Sequence, residues 1–221
     1  VLTLAAAASV AQPDGALVDG TASEDYSFIP AALRARCRAA VVKANEIVLA
    51  TQIRIDGKPT IWSQQNDPLT LKPASARNFE MPALSTGESA SVVLYLMSLP
   101  RPTAAEVRSV EDAVAWFEAN KMMGFTFSGG RRTPGGRMLH AVAGAGPLWA
   151  RYYSLTSGKA IFGDRDKSIH GDVMEISEER RNGSGWYGGE PGKVLERFGA
   201  WKAGIERNRG RNVPRGTSKS L

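Results

Sequence analysis

The stretch Ser85–Met122 reads STGESASVVLYLMSLPRPTAAEVRSVEDAVAWFEANKM, and it decides the fold class. Its first part, 85–99, is apolar on nearly every side and predicts a buried helix. Ser85 stands at the N-cap with Glu88 three residues later, the pattern in which serine and glutamate cap each other's backbone N–H groups. The second part, 101–122, places Val107, Val110, Val114 and Phe117 at spacings of three and four. That spacing predicts an amphipathic helix with one buried face.

Working outward, Pro30 opens another helix, with Leu33, Cys37, Ala40, Val41, Ala44, Ile47 and Val48 on one face and Arg34, Arg38, Asn45 and Glu46 on the other. Residues 172–183, DVMEISEERRNG, predict a short helix stopped by Asn182-Gly183, and 191–206 predict the last one. Extended structure is expected in three places. QIRIDGKPTIW (52–62) reads as a hairpin, because Asp56-Gly57 supplies the positive φ of a tight turn. GFTFSGG (124–130) and LWARYYSL (148–155) read as strands. Residues 13–29 and 63–84 are turn-rich and irregular. A mainly α chain with long loops results, and long ordered loops in a compact domain usually carry function.

The 221 residues suffice for one large or two small domains. Lys and Arg exceed Asp and Glu by 28 to 22, a net charge of +6. That excess favours an anionic partner, although the basic, Gly- and Pro-interrupted end (206–221) reads as a disordered tail that holds part of it. Cys37 stands alone, so disulfide frameworks and thiolate metal sites are excluded. His140 and His170 lack the spacing of a zinc hydrolase. No apolar run is long enough to cross a membrane. VLTLAAAASVAQ (1–12) reads either as the last part of a signal peptide or as a helix that begins mid-element.

Phosphate-loop, dinucleotide and nucleophile-elbow motifs are all missing. In GAGPLW, Pro147 stands where a helix would have to start. Nothing singles out a pair of carboxylates for glycoside hydrolysis. Arginines in unusual settings remain: Arg77 in PASARNFEMP (73–82), Arg151 in GPLWARYY, Arg165 in IFGDRD, and Arg180-Arg181 in EERRNG. Arginine grips carboxylates through a planar fork of donors. Each also has a local partner, Arg165 in Asp164 or Asp166 and Arg181 in Glu178. Arg77 is therefore a solvated loop charge, a partner of Glu80, or a catalytic group.

The run TIWSQQNDPLTLKPASARNFEMPALSTGESASVVLYLMSLPRPTAAEVRSVEDAVAWFEANKMMGF resembles the central stretch of family 10 pectate lyases. LWARYYSLTSGKAIFGDRD and EISEERRNGSGWYG resemble later blocks of that family, in the same order. The match runs from about Tyr26 to Trp201. The resemblance implies β-elimination on α-1,4-polygalacturonate (pectin) by a secreted bacterial enzyme assisted by calcium. The fold it implies is mainly α, an incomplete α/α toroid with a few short β-strands. It makes Arg77 the base, Arg151 and Arg165 the binders of substrate carboxylates, and Arg181, Trp186 and Tyr187 further substrate-binding residues of the cleft. Arginine is normally protonated, so such a base calls for alkaline pH and a site crowded with cations.

Family motifs bearing aspartates upstream have no counterpart here. The resemblance accordingly makes 1–12 the remainder of an internal helix, and residues 1–205 are expected to be part of the catalytic domain, without its N-terminal portion, and 206–221 a tail. The calcium ligands are unknown, Asp67 and Asp164 being the nearest substitutes. Ser75 stands where the family has Trp, and Ser184-Gly185 where an aromatic is common. A monomer is expected, with no nucleic-acid or membrane partner.

Overall fold

The structure, a computed structural model, describes residues 2–3 and 28–211. Residues 13–27 of the expected loop and most of the leading segment 1–12 lie outside the described residues; Leu2–Thr3 form a short strand, β1, rather than helix. β1 pairs antiparallel with β4 (Gln65–Asn66).

The helix expected after Pro30 is α1, Ala31–Ala50. Its expected core face is not core among the described residues: only Val48 is buried, while Leu33 and Ile47 are each 46% exposed. The hairpin follows as expected. Asp56 (φ 50°) and Gly57 (φ 76°) make the turn between β2 (Arg54–Ile55) and β3 (Lys58–Pro59), and a left-handed pair there suits the twist of the strands it joins.

After β5 (Leu84–Ser85) comes α2 (Thr86–Ser98), then α3 (Ala104–Asn120). The four apolar residues of α3 chosen by spacing are all buried. The capping box sits on α3 instead of α2. Thr103 Oγ1 accepts from the Glu106 N–H at 3.2 Å, and Glu106 Oε2 from the Thr103 N–H at 2.6 Å. Ser85 makes no such cap, because its hydroxyl donates to the Glu88 carboxylate. Ser85 is also the end of β5, paired with Tyr152 and donating its N–H to the Trp62 carbonyl, so sheet geometry sets its direction.

The second half of the chain is sheet-rich. β6 (Phe125–Ser128) and β7 (Met138–Ala141) form a hairpin. β8 (Trp149–Ala150) pairs with β12 (Tyr187–Gly188). β9 (Tyr152–Tyr153), β10 (Ala160–Gly163) and β11 (Ile169–His170) join β5 in a four-stranded antiparallel sheet of order β11-β10-β9-β5. The helix expected over 172–183 splits into a 3-10 turn, Val173–Glu175, and α4, Glu178–Gly183, each with its own N-cap, Asp172 and Ser177. The last helix, α5, runs Glu190–Arg211, longer than its periodic pattern.

These elements correct the expectation of a mainly α, incomplete toroid. Among the described residues 43% are helical and 18% extended, the latter in five antiparallel sheets. The physical reason lies in the stretches read as irregular. Ser63, Gln65, Asn66, Leu84 and Ser85 are buried, and a buried backbone must find hydrogen-bond partners. Two-residue strands supply them. α2, α3 and α5 pack together, and three tryptophans tie the layers. Trp62 Nε1 donates to the Val48 carbonyl at 2.7 Å, Trp149 Nε1 to that of Phe117 at 2.9 Å, and Trp186 Nε1 to that of Arg180 at 2.8 Å.

Candidate functional site

The loop carrying Arg77 is closed by its own backbone. The Ala76 N–H donates to the Glu80 carbonyl at 3.1 Å, and the Glu80 N–H to that of Arg77 at 2.9 Å. This turn drives the Glu80 side chain inward, to 2% exposure, and leaves Arg77 69% exposed. Glu80 Oε2 then accepts from Arg77 Nε at 3.0 Å and from its backbone N–H at 3.2 Å. The two Nη groups of Arg77 make no hydrogen bond among the described residues.

Arg151 comes to the other side of the same carboxylate. It links β8 to β9, with its N–H on the Trp186 carbonyl at 2.7 Å and its own carbonyl capping Thr86, the first residue of α2. Its Nη2 lies 3.6 Å from Glu80 Oε1 and 3.7 Å from Glu88 Oε1, and its guanidinium lies 4.9 Å from the Tyr152 ring centre. Glu80 Oε1 is buried and has no hydrogen bond. A buried carboxylate oxygen in that state is held by the nearby positive charge. Burial pushes the Tyr152 hydroxyl well above its ordinary value, so it stays a neutral donor, here to Gln64.

A second cluster borders the first. Glu179, in the first turn of α4, accepts from Arg165 Nε (2.8 Å) and Nη2 (2.9 Å), and from Arg180 Nε and Nη2 (3.0 Å each). Arg180 lies over the Phe79 ring at 4.2 Å, and Arg77 reaches that ring at 5.5 Å. Asn78 Nδ2 donates to the Arg165 carbonyl at 3.1 Å, binding the two loops together.

The hydrogen bonds from Arg165, then those from Arg180, hold the Glu179 carboxyl at about 2. A free glutamate titrates near 4.3. The pairing therefore contributes its stability in full above that value and loses it only as pH falls through about 2. Carboxyl carbon shifts followed by NMR are expected to put the Glu179 midpoint near 2; a midpoint of about 4 would mean that the cluster is open in solution.

The remaining expected site residues pack inward. Arg181 is buried and donates to the carbonyls of Ile176 (2.7 Å) and Gly135 (3.0 Å). Trp186 is fully buried. Tyr187 is half-buried between Phe162 (5.5 Å) and Phe127 (5.2 Å), and burial raises its hydroxyl. An open cleft of about 250 Å³ lies between the N-terminal ends of α2 and α5; Arg151, Glu88, Gly185 and Gly188 line it.

The carboxylates nearest the loops are already engaged by protein donors. Asp67 Oδ1 is spent on the N–H groups of Leu69 and Thr70 and the Thr70 hydroxyl. Asp164 is spent on Arg165 and Ser177. Glu80 and Glu88 each face an arginine. No group of three or more His, Cys, Asp or Glu side chains is gathered for a metal ion among the described residues. The described donors therefore do not fit calcium.

Sequence patterns missed Glu88 as a site residue, since the capping motif absorbed it, and missed Phe79, Glu179 and Arg180 as members of one cluster. The Arg77–Glu80 spacing was the only local signal.

Compared with known proteins, residues 12–195 match the family model for pectic acid lyase. A solved family 10 polysaccharide lyase from Cellvibrio cellulosa is 31% identical, with a TM-score of 0.77 over 91% of this chain and 60% of that one. A mutant of a family 10 polysaccharide lyase from the same organism, solved in complex with trigalacturonic acid, is 30% identical, with a TM-score of 0.78 over 89% of this chain and 60% of that one. This chain thus spans 60% of the length of each. No curated protein matches.

Proposed function

The chain belongs to the pectic acid lyase family, and from that premise we propose that it cleaves polygalacturonate by β-elimination, with Arg77 as base. One observation carries the site assignment. A single buried carboxylate, Glu80, has Arg77 on one oxygen and the cleft-lining Arg151 on the other. Glu80 takes the Nε edge of Arg77 and so orients it, leaving the Nη nitrogens to meet substrate.

In this reading an Nη nitrogen of Arg77, as the neutral guanidine, removes the proton from C5 of a galacturonate residue. The C5–H electron pair forms the C4=C5 double bond, the C4–O bond breaks, and the departing oxygen takes a proton from water. Charge builds on the adjacent carboxylate as the C5 proton leaves. Arg151 and Arg165 are proposed to grip such carboxylates, where fixed positive charge lowers the barrier. The relative solved with trigalacturonic acid supports this substrate class. The family relationship also supports an extracellular enzyme, and no helix among the described residues is long and apolar enough to cross a membrane.

The described carboxylates do not fit calcium. That misfit favours a second reading, a non-catalytic binder of acidic polysaccharide. Incubation with polygalacturonate at neutral to alkaline pH, with and without added calcium, separates the two. Appearance of the ultraviolet absorbance of unsaturated uronides supports the lyase. Measurable affinity without that absorbance supports the binder, and neither would contradict both.

A further inference from the structure

Glu179 concentrates more guanidinium contacts than any other carboxylate among the described residues, yet the elimination chemistry gives it no task. Both its oxygens are shared between Arg165 and Arg180, two contacts to each. Arg165 contributes its Nε and Nη2 atoms, which form one edge of the fork. A guanidinium has a second two-nitrogen edge, Nη1 with Nη2, equally matched to a carboxylate. Nη1 and the second N–H of Nη2 make no hydrogen bond among the described residues, and the Arg165 side chain is 63% exposed.

Glu179 is itself held on both sides. Arg180, only 6% exposed, is fixed over Phe79. Asp164 accepts from the Arg165 N–H at 2.7 Å and from the Ser177 N–H at 2.5 Å, so the Arg165 loop and the start of α4 are joined independently of Glu179. The carboxylate is thus a fixed bracket and not a flap waiting to leave. It also neutralises two cations that otherwise stand close together.

We propose that Glu179 is a positioning residue. It holds Arg165 by its inner edge and aims the outer edge at a uronate carboxylate, while keeping Arg180 over the ring that Arg77 shares. This rests on the reading of Arg165 as a substrate-carboxylate grip.

The test is a double-mutant cycle in the full chain on polygalacturonate turnover, with melting temperature read in parallel. Glu179→Gln keeps the shape and one acceptor but loses the charge. It is expected to raise KM about tenfold, the scale of one charged hydrogen bond, with kcat within about twofold and folding retained. In an Arg165→Ala background the same change is expected to leave KM unaltered, since Glu179 acts through Arg165. An unchanged KM for Glu179→Gln alone overturns the proposal. So does a lowered KM, which would make Glu179 a competitor of the substrate, or a tenfold effect that persists without Arg165. If Arg165→Ala by itself leaves KM unchanged, the grip assigned to Arg165 fails and this inference falls with it. A wild-type chain without turnover removes both.

Discussion

Arg77→Ala is expected to lower kcat on polygalacturonate by about 10²–10⁴-fold, the usual contribution of a positioned general base, while affinity for oligogalacturonate changes little. The reasons are geometric. Arg77 is 69% exposed, and its side-chain hydrogen bond among the described residues is made by Nε, so the fold leans little on the Nη atoms. Its partner Glu80 keeps a cation beside it, because Arg151 lies 3.6 Å from the other oxygen. Arg77→Lys keeps the charge and loses the fork, and is expected to stay close to the alanine variant in rate. Loss of binding together with a lowered melting temperature would instead make Arg77 a structural partner of Glu80.

The largest stability effect is expected at Trp149→Ala. Trp149 is fully buried, donates to the Phe117 carbonyl, and meets the Phe117 ring edge-on at 6.5 Å. It is therefore the joint between α3 and the β8–β12 pair. Removing a buried tryptophan costs about 3–5 kcal/mol, which for a domain of this size lowers the melting temperature by roughly 6–20 °C. The exposed Leu69, at 92%, provides the contrast, and Leu69→Ala is expected to shift stability by no more than about 0.5 kcal/mol. Equal shifts in the two variants, read by calorimetry, would contradict the placement of Trp149.

Local signals in the sequence were legible where local physics decides the outcome. The Asp56-Gly57 hairpin and the buried face of α3 depend on residues within one or two turns of each other. So does the Arg77–Glu80 pair. The errors fell where distant chain decides. Ser85 has the composition of a cap, but its pairing with Tyr152 directs the hydroxyl to Glu88. α1 has helical periodicity, yet periodicity does not say whether anything covers the face. The toroid expectation failed because most strands here are two residues long, too short for an alternating pattern to register. Arg165 was paired by proximity with Asp164 or Asp166. Its side chain reaches Glu179 fourteen positions on, because Asp164 folds the chain back onto Ser177. The Glu80–Arg151 approach is likewise invisible in one dimension. It appears only when β9 pairs with β5.

The central claim, elimination rather than hydrolysis or mere binding, is tested most directly by mass spectrometry of the products formed from a defined oligogalacturonate. The expected result is one fragment lighter by one water than the corresponding hydrolysis product, carrying the C4=C5 double bond at its new non-reducing end. Its yield is expected to collapse in Arg77→Ala. Fragments that all carry the added water, or an oligogalacturonate recovered intact, would contradict it.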